Sequence, residues 1–139
     1  MVLGGHGDDM VPVLSMTTIN GVPASTLIAK DKVQSIIERT RKGGGEIVTL
    51  MGTSAYYAPA SAAVAMTEAY LLDQKRLLPC AAYLDGEYGY KDLSMGVPCI
   101  VGGKGVEKIV EITLTEEEKG MLTKSAASVQ GIVDVVKKS

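Results

Sequence analysis

The segment 59–73, PASAAVAMTEAYLLD, sets the tightest condition on the fold. Pro59 suits a first helical position. Ala60, Ala62, Ala63, Val64, Ala65, Met66 and Ala69 then leave almost no polar face. A helix apolar all round has to be covered, inside its own domain or against another subunit. Alanine side chains allow close approach, so this helix is expected to be buried or to form a homo-oligomer contact. The core around it must be aliphatic, because the chain has six Tyr, no Phe and no Trp. A chain of 139 residues is expected to be one domain. It can bury roughly two-thirds of its unfolded surface.

Composition removes several classes of function. The formal charge of −2 lacks the basic excess of a nucleic-acid-binding surface. Apolar residues at 46% and charged residues at 22% are not those of a disordered chain. No apolar run approaches the roughly 18–20 residues of a membrane span. The N-terminus has no basic region of a secretory signal. Cys80 and Cys99 are too few for a disulfide framework and are expected to be buried, reduced thiols. The chain therefore reads as a soluble, cytoplasmic protein with no nucleic-acid or membrane partner.

Glycine and proline punctuate the rest. Gly4-Gly5-His6-Gly7-Asp8-Asp9 is a tight polar loop after a short apolar stub. Residues 11–19, VPVLSMTTI, read as a strand, and Asn20-Gly21 as a turn. Asp31 is placed as the N-cap of a helix, with Gln34 in the capping-box position. Val33, Ile36, Ile37 and Thr40 form its apolar face. Lys32, Glu38, Arg39, Arg41 and Lys42 form its solvated face. By propensity Gly43-Gly44-Gly45 ends that helix, since each glycine costs about 1 kcal/mol against Ala, and 46–51 reads locally as a strand. Residues 79–84 and 97–101 read as strands. Gly102–Gly105 turns the second into 106–112 as a hairpin. This turn lacks the Lys-Ser/Thr pair of a phosphate loop. Thr115 and Glu118 make a capping box. Leu122, Ala126, Val129, Ile132, Val133 and Val136 carry the apolar stripe of the last helix, and Lys137-Lys138 suit the negative end of its dipole. The expected class is α+β, with helices packed on an antiparallel or mixed sheet.

His6 is the only histidine. It stands between glycines, which let backbone approach a ligand closely, and imidazole is the commonest acid/base group near neutral pH. Asp8 and Asp9 follow, but three neighbouring loop residues seldom converge on one ion, so no metal is expected. Ser54 and Ser61 lie in no G-x-S-x-G elbow. Neither cysteine has the electropositive setting that activates a thiolate.

Two motifs go further. Gly4-Gly5-His6-Gly7-Asp8-Asp9-Met10-Val11-Pro12 resembles the catalytic-histidine motif of the lactate/malate dehydrogenase family. Gly52-Thr53-Ser54-Ala55-Tyr56-Tyr57-Ala58-Pro59-Ala60-Ser61-Ala62 resembles a second family motif, in the form of the malate dehydrogenases most similar to lactate dehydrogenases. Leu84-Asp85-Gly86-Glu87-Tyr88-Gly89 and Val97-Pro98-Cys99-Ile100-Val101-Gly102 are similar to its later strands. The resemblance runs in order over nearly all of the chain. It implies the family's C-terminal, substrate-side α+β domain over residues 1–139. It implies His6 as the catalytic acid/base and Ser54 as a substrate-facing residue. It also implies that 43–51 continues as a kinked helix, which replaces the local reading of a strand.

The implied reaction is NAD-dependent interconversion of malate and oxaloacetate. A lactate dehydrogenase parent and a non-catalytic oligomerising scaffold are the alternatives. No G-x-G-x-x-G string occurs, so no cofactor-binding residue is assigned, and NAD is expected to be held by a dinucleotide-binding half that this chain lacks. The family's Asp that orients the histidine, and its substrate-binding arginines, precede the histidine motif. Arg39, Arg41 and Arg76 match none of those positions. The chain is expected to be a truncated half-enzyme with little activity alone.

Overall fold

Residues 1–138 are described by a computed structural model. The chain opens with β1 (Val2–Leu3) and β2 (Val11–Pro12), paired antiparallel around the His6 loop. A small hairpin follows, β3 (Thr18–Ile19) and β4 (Val22–Pro23). Asn20 at φ 50° and Gly21 at φ 84° make its two-residue turn, the left-handed pair that matches strand twist. A short α1 (Ala24–Leu27) leads into α2 (Lys30–Met51), and then comes α3 (Tyr57–Leu71). The main sheet is β5 (Arg76–Asp85), β6 (Lys91–Gly102) and β7 (Gly105–Ile109), antiparallel in that order. The last element is α4 (Glu116–Lys137).

The sheet alternates over β5 and the first half of β6 as a half-buried sheet must, while Val97, Pro98 and Cys99 are buried in succession. Along β6, Leu93, Met95, Val97, Cys99 and Val101 are buried, as are Ala82 and Leu84 of β5. Ala69 of α3 and Leu122 and Ala126 of α4 close over that face, with Leu3, Val11, Val13 and Leu114. The core is aliphatic, as the composition requires. β7 pairs only with the last residues of β6. Beyond it Gly4 joins the same edge, exchanging two backbone hydrogen bonds with Gly96 at 2.9 and 2.8 Å. A Cβ on Gly96 would stand 2.9 Å from the Gly4 carbonyl oxygen, so this approach needs glycine. The base of the His6 loop is thereby stitched to the central strand.

Several local expectations need correction. Residues 11–19 are not one strand: a turn in which Thr17 N–H donates to Leu14 O (3.0 Å) separates β2 from β3. The backbone N–H and hydroxyl of Ser15 are both taken by Glu118 (3.0 and 2.8 Å), so they cannot join a ladder. Asp31 is not an N-cap. α2 starts two residues earlier with Ala29 in the cap position, and Asp31 lies in the first turn, where a carboxylate still favours the dipole. Pro59 is the third helical residue of α3 rather than the first; its missing N–H still costs nothing in the opening turn. The second strand of the β6–β7 hairpin ends at Ile109, before the expected 112. There Tyr88 takes over, its N–H donating to Glu111 (2.7 Å) and its hydroxyl accepting from Ile112 N–H (3.1 Å).

The triple glycine does not stop α2. The helix continues to Met51 without a break and ends on Gly52 in the left-handed region, a common C-terminal device. The family-based reading of a continuing helix holds, although no residue inside it departs from helical geometry as the expected kink would require, and the locally expected strand over 46–51 does not form. Arg39 reaches across the glycines to Glu46 with two bonds of 3.0 and 2.8 Å. This pair holds the Glu46 carboxyl below the usual carboxylate range through hydrogen bonding and charge. The capping box at Thr115 and Glu118 forms as read. The stripe of α4 is buried only in its first half: Ile132 and Val136 are exposed.

Candidate active site

The His6 loop is defined by what holds its backbone. Gly4 has φ +88°, and a Cβ there would lie 2.4 Å from Ser125 Oγ. Only glycine fits that conformation at that distance. Gly5 N–H donates to Ser125 Oγ at 2.8 Å, and Ser125 is fully buried in α4. Gly7, at φ +116°, turns the chain, and its carbonyl accepts from Met10 N–H at 3.1 Å. Past the turn, Ser128 Oγ donates to Asp9 at 2.7 Å, and Lys124 stands 3.7 Å from the same carboxylate. Arg41 of α2 donates to Met10 O at 3.2 Å and reaches Met121 Sδ at 3.3 Å. Arg41 is therefore a tertiary contact, not part of a solvated face, whereas Lys42 is exposed.

His6 stands on this frame. Its side chain is exposed, and it makes no hydrogen bond or ion pair among the described residues. Two clefts meet at it. One, of about 330 Å³, runs past Leu3, Met10, Cys80 and Gly96. The other, of about 410 Å³, is lined by Asp9, Ala81, Ser94, Ser128 and Ile132. The backbone is rigidly anchored while the imidazole is left available, which is an arrangement able to pass a proton to a molecule in either cleft.

Ser54 lies on the exposed loop between α2 and α3 and lines neither of these clefts. Asp9, weighed as a metal ligand with Asp8, is directed to Ser128 and Lys124. Both thiols are free, and burial pushes each up. Cys99 is buried as expected, while Cys80 is only half-buried and lines a cleft at His6. The sequence reading missed Ser125, Ser128 and Arg41. A signal existed for Ser125: it falls on the stripe of Leu122, Ala126 and Val129 at helical spacing, a polar residue on a face meant for the core.

A dinucleotide needs a parallel strand pair and a glycine-rich turn at a helix start. Every strand pairing among the described residues is antiparallel. No glycine-rich turn leads from a strand into the start of a helix, the device that cradles a pyrophosphate. The described residues do not form such a site.

Residues 1–139 match the family of the lactate/malate dehydrogenase, alpha/beta C-terminal domain. The chain is 77% identical over 139 residues to a malate dehydrogenase of Sorangium cellulosum, covering 100% of this chain and 44% of that protein. It is 58% identical to one of Geobacillus kaustophilus, covering 95% and 43%. The malate dehydrogenase structure from Salinibacter ruber superposes with a TM-score of 0.95 at 51% identity, covering 99% of this chain and 45% of that one. A lactate dehydrogenase from Cryptosporidium parvum, complexed with lactic acid and nicotinamide adenine dinucleotide, gives 0.95 at 42% identity, covering 99% and 45%. The chain thus spans less than half the length of the relatives it matches. With antiparallel sheet, covering helices and glycine-held histidine loop all in family order, the chain belongs to the lactate/malate dehydrogenase family as its C-terminal α/β domain.

Proposed function

We propose that this chain supplies the proton-transfer half of an NAD-dependent malate dehydrogenase, with His6 as the acid/base group. One observation carries the reading: the only histidine of the chain is exposed and unpartnered on a loop whose backbone is held by Gly96, Ser125 and Arg41. Protonated His6 gives its proton to the carbonyl oxygen of oxaloacetate as that carbonyl is reduced. Neutral His6 takes the hydroxyl proton of malate in the reverse direction. The charge on the imidazolium also favours the alkoxide that develops. Malate is favoured over lactate by the 77% identity to a malate dehydrogenase. NAD, the partner group for His6 and the substrate-binding arginines belong in this reading to protein outside these 139 residues. Ser54 contacts substrate from the α2–α3 loop. The enzyme works in the cytoplasm, where Cys80 and Cys99 stay reduced.

The same reading makes α3 an interface between copies. It buries only Ala69 in the single chain, while Val64, Leu71 and Leu72 remain exposed. An apolar groove along Ala63, Val64, Thr67, Leu71 and Leu72 marks the uncovered face.

The test has two arms. The purified chain, its mass verified, is assayed for oxaloacetate-dependent oxidation of NADH. The expected turnover is several orders of magnitude below that of a whole dehydrogenase, because positioning and electrostatic groups are lacking. A rate within tenfold of an ordinary dehydrogenase overturns that expectation. In the second arm the chain replaces the matching part of the Sorangium cellulosum enzyme. His6→Gln in that hybrid is expected to lower kcat by about 10²–10⁴-fold, with NADH binding intact. Ser54→Ala is expected to raise KM for oxaloacetate several-fold with little change in kcat. A His6→Gln hybrid of undiminished kcat sinks the assignment.

A further inference from the structure

We infer that Ser125 and Ser128, one turn apart on α4, are positioning residues that clamp the His6 loop at both ends. Ser125 Oγ accepts from Gly5 N–H at 2.8 Å, on the residue just before His6. Ser128 Oγ donates to the Asp9 carboxylate at 2.7 Å, three residues after it. These contacts bridge 120 and 119 positions of sequence, so they are tertiary and not local turn bonds. The inference rests on His6 being the working group of the site.

The clamp answers a physical problem. A histidine flanked by Gly4, Gly5 and Gly7 sits on the most pliable backbone available, since glycine has the largest conformational freedom to lose. An acid/base group is useful only if its ring stays within a fraction of an ångström of the proton it moves, and a misplacement of about 1 Å costs on the order of 10²-fold. The Gly4–Gly96 pairing anchors the loop only at its entry. Beyond it, Ser125 is fully buried and its hydroxyl presses close behind the loop, 2.4 Å from where a Cβ on Gly4 would stand. At Gly4 and Gly5 the loop therefore lies directly against α4. Ser128 then grips the exit side through Asp9, alongside Lys124 at 3.7 Å from the same carboxylate and Arg41 on Met10 O, where Gly7 is free of any contact that a side chain would meet. The imidazole projects from between the two grips. Orientation of His6 is thus tied to α4, at the far end of the sequence, and α4 is itself fixed by its buried Leu122 and Ala126.

The test uses isotope-labelled chain and the fact that His6 is its only histidine, so one ring signal reports the site. In Ser125→Ala, the Gly5 amide is expected to exchange with solvent at least tenfold faster. The His6 ring signal is expected to shift and to show faster local motion. The amides of Leu122, Ala126, Met95 and Val97 should keep their protection. Ser125→Cys, with a weaker acceptor in the same place, is expected to fall between Ala and the parent. A serine that merely fills space would lower stability without moving the His6 signal. Unchanged Gly5 exchange and an unchanged His6 ring, with α4 protection intact, overturn the inference. Should Ser125→Ala lose α4 protection, the exposed Ser128→Ala reads the same effect alone: altered His6 ring motion supports the clamp, and an unaltered ring overturns it. None of these signals depends on turnover, so failure of the acid/base assignment in the hybrid enzyme is separable from failure of the clamp.

Discussion

Glu118 does more at the residue scale than its motif announces. Its carboxylate accepts from Thr115 N–H at 2.9 Å in the capping box and from Ser15 N–H and Ser15 hydroxyl at 3.0 and 2.8 Å. Burial opposes its charge, but these bonds outweigh burial and hold the carboxyl below its usual range. The sign follows directly. A carboxyl depressed in the folded state adds stability above its unfolded pKa, and that stability is lost as pH falls through the lower folded value. Glu118→Gln is therefore expected to flatten the acid limb of the stability profile, read as urea midpoints from neutral pH down into the carboxylate range. Glu118→Ala strands the Ser15 and Thr115 N–H groups and breaks the cap, for an expected loss of about 2–4 kcal/mol at neutral pH. An alanine variant within about 0.5 kcal/mol of the parent contradicts the tie. The thiols make a second case. Burial raises both, so Cys99, fully buried, is expected to resist a thiol reagent until the chain unfolds, while half-buried Cys80 reacts first. Equal rates at both sites, followed by mass spectrometry, would count against the packing described.

At the element scale, α2 shows local propensity overruled. Gly43, Gly44 and Gly45 lie inside a helix, yet a Cβ on any of them would meet nothing within 4 Å. Within this chain they serve no packing need, and each carries the full entropic penalty. Gly44→Ala is accordingly expected to stabilise the chain by about 0.5–1 kcal/mol, measured by urea unfolding with an unchanged slope. A destabilised variant would show that something covers this face. The two caps differ in an instructive way. The Thr115–Glu118 box forms because its partners are three residues apart and need only helical geometry. Asp31 and Gln34 have the same spacing, but the helix begins two residues early with Ala29 as its cap, so both side chains lie within the helix. Spacing permits a cap; the residue at which the helix starts decides whether it is used.

The whole molecule is a sheet covered well on one face, with two long helices hardly covered at all. α2 buries only Ile37 and α3 only Ala69. Leu50, Leu71 and Leu72 are 78, 70 and 67% exposed. Apolar surface on this scale drives association. The purified chain is expected to form dimers or larger species as concentration rises, read by sedimentation or light scattering. Leu71→Lys together with Leu72→Lys is expected to shift it toward monomer. A parent that stays monomeric at high concentration removes α3 as a homotypic contact.

The amino-acid order by itself determined what depends on near neighbours or on a strict period: the aliphatic core, the centres of the β5 and β6 strands, the Asn20-Gly21 turn, the Gly102–Gly105 turn and the α4 cap. It also determined the family, through two motifs in the right order, the first of which puts His6 forward as the candidate acid/base group. Only the tertiary structure decided how the His6 loop is held, because its restraints come from Gly96, Ser125, Ser128 and Arg41, which no local rule connects to residues 4–10. It alone broke the expected 11–19 strand, since Ser15 is claimed by a carboxylate 103 positions away. Local order sets what each segment can form. Which polar groups find partners, and which apolar faces stay open, is decided when distant segments meet.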